Sequence, residues 1–231
     1  MNELKERFLE GEVILIDKPL GWTSFQVVNK IRWLIRSTFE IKKIKVGHAG
    51  TLDPLASGLL ILCTGKMTKR IEQFMGQEKE YTGTFMLGAT TPSYDLETEI
   101  DQEFSTDHIT EEILQKTLSQ FEGTIEQFPP VFSAIKKEGK RLYEFAREGI
   151  EVEIPSRKVN IRSFKLTRIA KPEIDFKVNC SKGTYIRSLA HDYGKALKSG
   201  AHLHTLKRTR IGEFSIDQAI SIEDFEKQLK K

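Results

Sequence analysis

The sequence predicts an α/β fold of the α+β type, with a mixed, largely antiparallel sheet flanked by helices. Its 231 residues, of which 39% are hydrophobic, are enough to bury a substantial core. Strand-like and helix-like patterns alternate without a strict βαβ rhythm, which disfavours a doubly wound parallel sheet. Because no repeat, linker or low-complexity segment separates them, we expect a single domain over residues 1–231.

The first predicted elements are a strand, a turn and a helix. Glu12 to Asp17 (EVILID) is typical of a strand, and Lys18 to Thr23 is typical of a turn because it contains Pro19 and Gly21. We expect Ser24 to cap the following helix, whose apolar residues recur at helical spacing. These residues are Val27, Val28, Ile31, Leu34 and Ile35.

A loop and a short apolar run come next. The glycines and proline of Gly47 to Pro54 predict a loop, whereas Leu59 to Cys63 (LLILC) fits a buried strand and a buried helix equally well. The alternation in Lys79 to Thr90 predicts a strand. After an acidic stretch, a helix is expected to begin at Thr110 to Glu112.

The second half begins with a break at Pro129 and Pro130. The basic segment near 130–154 is predicted to be an insertion with a short helix at Leu142 to Glu148, ended by Gly149. The remaining predicted elements are neighbouring strands at Lys158 to Ile169 and Ile174 to Cys180, a helix capped by Thr184 and ending near Leu197, a strand at Leu203 to Phe214, and a last helix at Ile222 to Lys230.

The charges are distributed unevenly. The formal net charge is +3, but Thr91 to Phe128 contains ten acidic residues and one lysine, so the rest of the chain must carry +12. Basic clusters lie at Lys30 to Lys45, Lys136 to Arg168 and Lys195 to Arg210. If these clusters converge on one face they suit a polyanion such as nucleic acid. On charge alone, ordinary solvated surface charge explains them equally well.

Some classes of protein are not indicated. The N-terminus is charged and no long apolar run is present, so we expect a cytoplasmic protein with no membrane segment. Cys63 and Cys180 are far apart and in no CxxC pair, which predicts neither a disulfide framework nor a zinc site. We expect both to be buried packing residues.

Asp53 precedes Pro54 in the glycine-rich run GHAGTLDPLASG. The proline restricts Asp53 to extended conformations, which is a useful setting for a nucleophilic carboxylate. The same dipeptide is common in turns for reasons unrelated to catalysis, and considered alone it favours that structural interpretation.

The longer string GHAGTLDPLASGLLILCTGKMTKR resembles the catalytic segment of the bacterial tRNA pseudouridine-55 synthases, the TruB family. The resemblance continues in the family's order through ILIDKPLGWTS, KEYTGTFMLG, PPVFSAIKKEGKRLYEFAREGIEVE, CSKGTYIRSLAHDYG and GAHLHTLKRTRIGEF, over nearly the whole chain. It implies the pseudouridine synthase fold and isomerisation of uridine-55 in the T-loop of tRNA after base flipping. It implies no cofactor, the tRNA T-arm as partner and no membrane partner, and we expect a monomer.

The resemblance also assigns catalytic roles. Asp53 is the expected nucleophile, attacking either C1′ or C6 of the uridine, and Arg187 is expected to be the cation that orients it. Tyr81 is expected to stack on the uracil and to help remove the C5 proton. Taken alone, Arg187 could be an ordinary surface ion pair and Tyr81 a core aromatic of a strand.

Substrate-binding roles follow for further residues of the matched segments. Tyr185 and Leu206, with Tyr81, are expected to line the uridine pocket. His48 is expected to occupy the space left by the flipped base. A metal site at His48 is not predicted, because no second ligand lies at suitable spacing.

Two features stand outside this assignment. Lys18 and Pro19 belong to another family motif, but we expect Pro19 and Gly21 only to shape a turn that supports the catalytic loop. Many family members carry a C-terminal RNA-binding module of the PUA type, and we expect no full PUA domain here. We therefore expect tRNA to bind, in a salt-sensitive manner, largely through the domain's own basic clusters, including Lys136 to Arg147, or through a rudimentary C-terminal helix. The insertion near 130–154 is expected to be a mobile RNA-gripping arm.

Two other classes of function remain as alternatives. One is a non-catalytic RNA-binding protein or tRNA folding chaperone on the same scaffold. The other is a carboxylate-using glycoside hydrolase, but no second acid near Asp53 in the sequence supports it. Related synthases that modify other RNAs use the same aspartate chemistry, so substrates besides tRNA stay open.

Overall fold

A computed structural model describes residues 2–137, 139–150 and 152–230. The chain divides into two compact units, of which the first comprises the residues up to Tyr81 and those from Leu206 onward, and the second comprises Thr82–Thr205. Strands β4 and β12, defined below, each continue from one unit into the other. The single domain over 1–231 stays a prediction.

In chain order the helices and strands are α1 (Asn2–Glu10), β1 (Val13–Lys18), α2 (Ser24–Phe39), β2 (Val46–His48), β3 (Ala56–Thr64), α3 (Ile71–Met75), β4 (Lys79–Leu87), β5 (Ala89–Thr90), β6 (Gln102–Glu103), α4 (Glu111–Leu118), β7 (Gly123–Gln127), β8 (Lys136–Lys137), β9 (Lys140–Arg141), α5 (Leu142–Arg147), β10 (Arg157–Ala170), β11 (Glu173–Cys180), α6 (Ile186–Ala196), β12 (Ala201–Ile211), β13 (Phe214–Ser215) and α7 (Ile222–Leu229). Short 3₁₀ helices cover Gly65–Arg70, Ser119–Phe121 and Ile216–Gln218.

In the first unit the strand order is β1-β3-β12-β4. The whole of strand β1 pairs antiparallel with β3, and on its other edge β3 pairs in parallel with β12 and antiparallel with β2. Apolar side chains of α1, α2 and α7 pack with Ile14, Ile16, Leu60 and Leu62 in one core cluster. The ambiguous LLILC run is therefore a strand whose two faces are both buried, which explains its lack of alternation.

In the second unit the order continues as β12-β4-β11-β10-β7. Strand β10 pairs antiparallel with both β11 and β7. An aromatic core forms on this sheet, where Phe85 stacks on Phe176 at 4.1 Å and Phe164 meets Tyr193 of α6 at 5.6 Å. Among the described strand pairings, β3 with β12 is parallel, whereas β1 with β3, β10 with β11 and β10 with β7 are antiparallel. This confirms the predicted mixed, largely antiparallel sheet with flanking helices.

Two predicted helix caps are wrong. Helix α2 is capped by Thr23, which forms a capping box with Gln26, while Ser24 is the first helical residue and its hydroxyl is bonded to a distant loop. Helix α6 begins after Tyr185, which provides no side-chain cap. The Thr184 hydroxyl donates instead to the carbonyl of Ser181, within the preceding turn.

Other predictions differ in extent. Helix α1 and strand β7 were not predicted, and the predicted loop Gly47 to Pro54 begins inside β2. The short helix of the 130–154 insertion is confirmed as α5, and Cys63 and Cys180 are buried as expected. Among the described residues no helix is long and apolar enough to cross a membrane.

Candidate active site

Asp53 lies in the loop between β2 and β3, and the backbone on both sides of it is anchored. The hydroxyl of Ser24 accepts a hydrogen bond from the N–H of Leu52 at 2.8 Å and donates one to the Leu52 carbonyl at 3.1 Å. On the other side, the N–H of Gly21 donates to the carbonyl of Pro54 at 2.8 Å. This contact confirms that the turn containing Gly21 supports the loop.

The side chain of Arg208, on β12, forms hydrogen bonds with the backbone of the same loop. Its side chain is fully buried and donates to the carbonyls of Leu59 at 2.8 Å, Gly50 at 3.1 Å and Thr51 at 3.3 Å. Gly58 permits the close approach of the β3 and β12 backbones at Arg208, since a Cβ there would lie only 2.3 Å from the Arg208 carbonyl oxygen. Sequence analysis missed this residue, although it lies in the matched string GAHLHTLKRTRIGEF.

Lys18 was placed outside the predicted site, yet the charge of Asp53 acts on its ammonium. The side chain at the end of β1 is fully buried, and its ammonium donates to the carbonyls of Trp22 at 2.6 Å and Pro19 at 2.9 Å. Burial lowers the pKa of Lys18 to about 8, while the negative charge of Asp53 opposes this shift. Lys18 and Arg208 thus supply positive potential to the nucleophile loop.

The first unit also contains the predicted substrate-binding residues His48, Tyr81 and Leu206. His48 ends β2 opposite Leu62, and burial, followed by the charge of Arg208, lowers its pKa, which favours the neutral imidazole. Leu206 pairs with Ala56 just after the Asp53 loop. Tyr81 lies on β4 with its side chain buried.

Arg187 lies in the first turn of α6, in the second unit, and its guanidinium is buried. It donates to the carbonyls of Phe132 at 2.9 Å and Ser93 at 3.4 Å, and its Nε lies 3.6 Å from Oδ2 of Asp95. Both side chains of this ion pair are less than one-tenth exposed, so each charge depends on the other. Sequence analysis missed Asp95, because it is one of ten acidic residues in the stretch Thr91 to Phe128.

Tyr185 precedes α6, and a buried glutamine fixes its backbone. Gln127 at the end of β7 accepts from the Tyr185 N–H at 2.7 Å and donates to the Tyr185 carbonyl at 3.0 Å. The aromatic ring faces the guanidinium of Arg157, 4.5 Å from the ring centre, and that of Arg187 at 5.8 Å. This arrangement presents a ring with a cation on its π-face.

The predicted site residues are thus divided between the units. His48, Asp53, Tyr81 and Leu206 belong to the first, and Tyr185 and Arg187 to the second. The orientation of Asp53 by Arg187 stays a prediction. In the described part of the chain, no group of three or more His, Cys, Asp or Glu residues could hold a metal ion.

Two family models match the chain. Residues 36–186 match a model described as TruB family pseudouridylate synthase (N terminal domain), and residues 187–231 match one described as tRNA pseudouridylate synthase B C-terminal domain. Together they include every residue of the predicted site.

Similar proteins agree with these matches. A protein of Flavobacterium johnsoniae named tRNA pseudouridine synthase B is 62% identical over 226 residues, which are 97% of this chain and 99% of that protein. One of the same name from Phocaeicola vulgatus is 57% identical over 94% of this chain and 93% of its own length.

A solved chain from a Cbf5-Nop10-Gar1 complex has a similar structure, with a TM-score of 0.73 at 30% identity. The match covers 96% of this chain and 56% of the solved one, so this chain spans little more than half of that neighbour's length. These findings confirm the resemblance inferred from the sequence motifs. The chain belongs to the TruB family of pseudouridylate synthases.

Proposed function

We propose that this protein converts uridine-55 in the T-loop of tRNA to pseudouridine, with Asp53 as the nucleophile. The observation that carries the proposal is the anchoring of the Asp53 loop by Ser24, Gly21 and buried Arg208. Such rigidity suits a carboxylate that must meet one atom of a flipped base. Relatives of nearly the same length are named tRNA pseudouridine synthase B, which supports tRNA as the substrate.

The reaction is an isomerisation without net oxidation or reduction. The bond between C1′ and N1 breaks, C1′ becomes bonded to C5, the C5 proton is lost and N1 gains a proton. The Asp53 carboxylate attacks C1′ or C6, so that the uracil can leave, rotate and rejoin the ribose. The positive charges of Lys18 and Arg208 supply favourable potential for an anionic nucleophile in this loop.

The other predicted residues complete this mechanism. Tyr81 stacks on the detached uracil and helps to remove the C5 proton, while Tyr185 and Leu206 shape the pocket. Arg187, held by Asp95 and by backbone carbonyls, orients Asp53. His48 takes the place of the flipped base. Because its pKa is lowered, the neutral imidazole is favoured, and no additional charge is placed in that space.

The 130–154 insertion is proposed to grip the RNA backbone. Its β8–β9 hairpin and α5 carry basic side chains, and the guanidinium groups of Arg141 and Arg147 lie 5.9 Å and 5.4 Å from the centre of the Tyr143 ring. Such rings and cations suit a phosphate backbone with unpaired bases. We further propose that the enzyme acts as a monomer in the cytoplasm, where its tRNA substrate is found.

Tritium release from tRNA labelled at C5 of uridine tests the activity, because pseudouridine formation expels that atom. Wild type should release tritium in the presence of a metal chelator, and a transcript with cytidine at position 55 should remove the signal. Asp53→Asn should abolish turnover while tRNA affinity changes less than about twofold, since the amide is nearly the same size but is a far weaker nucleophile.

Two outcomes would contradict the proposal. If Asp53→Asn lost binding in step with activity, Asp53 would have a structural role. If wild type and Asp53→Asn promoted tRNA folding equally and neither formed pseudouridine, the protein would be an RNA chaperone and not a synthase.

A further inference from the structure

Helix α2 presents an exposed row of aromatic and basic side chains that the proposed mechanism does not use. We call Phe25, Asn29, Arg32, Trp33 and Arg36 the α2 stripe, because their spacing places them along one side of the helix. Phe25 and Trp33 are 64% and 58% exposed, which is unusual for rings of this size. The opposite side of α2 packs in the core, so the stripe is a surface feature and not a poorly packed interior.

The charge of α2 is entirely positive. The helix contains Lys30, Arg32 and Arg36 and no acidic residue. Among the described residues, none of the three forms an ion pair: Arg32 donates to the side chain of Asn29, Arg36 donates to the carbonyl of Ile41, and the Lys30 ammonium lies 4.7 Å from the centre of the Trp33 ring. Each guanidinium has five N–H donors, so most remain available to a ligand.

The stripe begins at the nucleophile loop. Ser24, which is bonded to Leu52, directly precedes Phe25. Leu20 and Leu55, which adjoin the hydrogen bond between Gly21 and Pro54, are also exposed. At a rise of about 1.5 Å per residue, the stripe from Phe25 to Arg36 is about 16 Å long. A substrate that delivers a base to Asp53 can therefore continue along α2.

We propose that the α2 stripe is a second RNA-binding surface, which contacts a part of the substrate RNA beyond the arm that carries the target uridine. Exposed rings stack on unpaired bases and guanidinium groups bind phosphates, a combination typical of single-stranded or looped RNA. A protein partner could also use the exposed rings and arginines. A polyanion is the better match, because the helix carries three cations and no acid. The identity of the RNA as tRNA rests on the proposed function.

The test compares two RNAs and two pairs of substitutions. The double variant Trp33→Ala, Arg36→Gln removes one ring and one charge from the stripe. Its control, Lys227→Gln, Lys230→Gln, removes two exposed charges from the neighbouring helix α7, where both are ion-paired with acids of the same helix. Binding to a full-length tRNA transcript and to an isolated T-arm stem-loop is measured over a range of salt concentrations, together with single-turnover rates. Circular dichroism and thermal unfolding establish that each variant is folded.

The stripe variant should bind full-length tRNA about 5–20-fold more weakly, since loss of one stacked base weakens single-strand binding by at least about fivefold. The slope of log affinity against log salt should fall by about 0.7–0.9 for the lost phosphate contact. Stem-loop affinity and turnover should be unchanged, and the α7 variant should resemble wild type with both RNAs.

Three results would overturn the inference. Unchanged affinity of the stripe variant for full-length tRNA would show that the α2 stripe does not contact the RNA. An equal loss with tRNA and with the stem-loop would place the stripe at the target arm and not beyond it. Unchanged RNA binding with an altered oligomeric mass, measured by light scattering, would assign the stripe to a protein interface. Failure of the proposed function is distinct, because wild type would then form no pseudouridine in either RNA.

Discussion

The single hydroxyl of Ser24 satisfies both backbone groups of Leu52, accepting from its N–H at 2.8 Å and donating to its carbonyl at 3.1 Å. Both residues are buried. The first turn of α2 is thereby tied to the residue before Asp53, so the position of the proposed nucleophile depends on a helix that is remote in sequence.

Ser24→Ala should lower both stability and turnover. It leaves a buried N–H and a buried carbonyl without partners, which should reduce the free energy of unfolding by about 1–3 kcal/mol. Single-turnover pseudouridine formation should slow by about 10-fold or more, because a misplaced nucleophile is costly. Urea unfolding and tritium release measure the two effects.

Thr23→Ala is the matched control for Ser24→Ala. It removes the N-cap of the same helix, at a cost of about 1 kcal/mol, but leaves both Leu52 hydrogen bonds in place. Its turnover should stay near that of wild type once the protein is folded. Equal slowing by the two variants would show that the Ser24 contact has no special role in placing Asp53.

Arg208→Met should destabilise the protein by at least about 3 kcal/mol, because each of three acceptors that lose a charged donor costs about 1–3 kcal/mol. The three carbonyls affected belong to Gly50, Thr51 and Leu59. Arg208→Lys should recover only part of the loss, since one ammonium cannot reproduce the fork of the guanidinium. Lys207→Met, at the exposed neighbouring position, should change stability by less than about 0.5 kcal/mol. If Lys207→Met lowered the free energy of unfolding as much as Arg208→Met, denaturant unfolding would contradict this account.

Lys18 should give turnover an alkaline limit. Burial lowers the pKa of its ammonium to about 8, so above this pH the positive charge near Asp53 is progressively lost. The single-turnover rate should fall as pH rises through about 8. In Lys18→Arg the charge persists, because the guanidinium does not titrate in this range, so the fall should move to higher pH. Identical pH profiles for the two folded proteins would exclude Lys18 as its source.

The lowered pKa of Lys18 also determines how its contribution to stability depends on pH. Its pKa in the folded protein, about 8, lies below the usual 10.5, so the unfolded chain binds more protons between these values. The contribution of Lys18 to stability should therefore increase as pH rises from about 8 towards 10.5. Compared with Lys18→Arg, wild type should gain relative stability over this window in urea unfolding.

Asp192 should show the opposite dependence on pH. Burial raises the pKa of its carboxyl to about 6, although the charge of Lys195 opposes the shift. The folded protein then binds the proton more tightly than the unfolded chain, so stability should fall as pH rises from about 4 through about 6. Asp192→Asn should be more stable than wild type above pH 6, by a margin that shrinks towards pH 4. A constant margin across this range would rule out ionisation of Asp192 as the cause.

Much of the local structure was predictable from the residues themselves. The apolar spacing of α2 and the alternation of β4 are short-range patterns, so their elements could be identified without a partner. The ordered motifs likewise indicated the family and the set of candidate residues, including Asp53, Tyr81 and Arg187, before any geometry was known. Adjacent residues carry this information because helix and strand periodicity repeat within a few positions.

Only the tertiary structure decided which neighbours these residues have. LLILC became a strand because β1 and β2 pair with it, and the Ser24 hydroxyl bonds Leu52 instead of capping α2. The buried ammonium of Lys18 is subject to the charge of Asp53, which lies 35 positions further along the chain. Asp95 and Arg187 meet across 92 positions of sequence. Sequence alone therefore determined the family and the candidate residues, while folding decided their hydrogen bonds and charges, because these depend on contacts between distant segments.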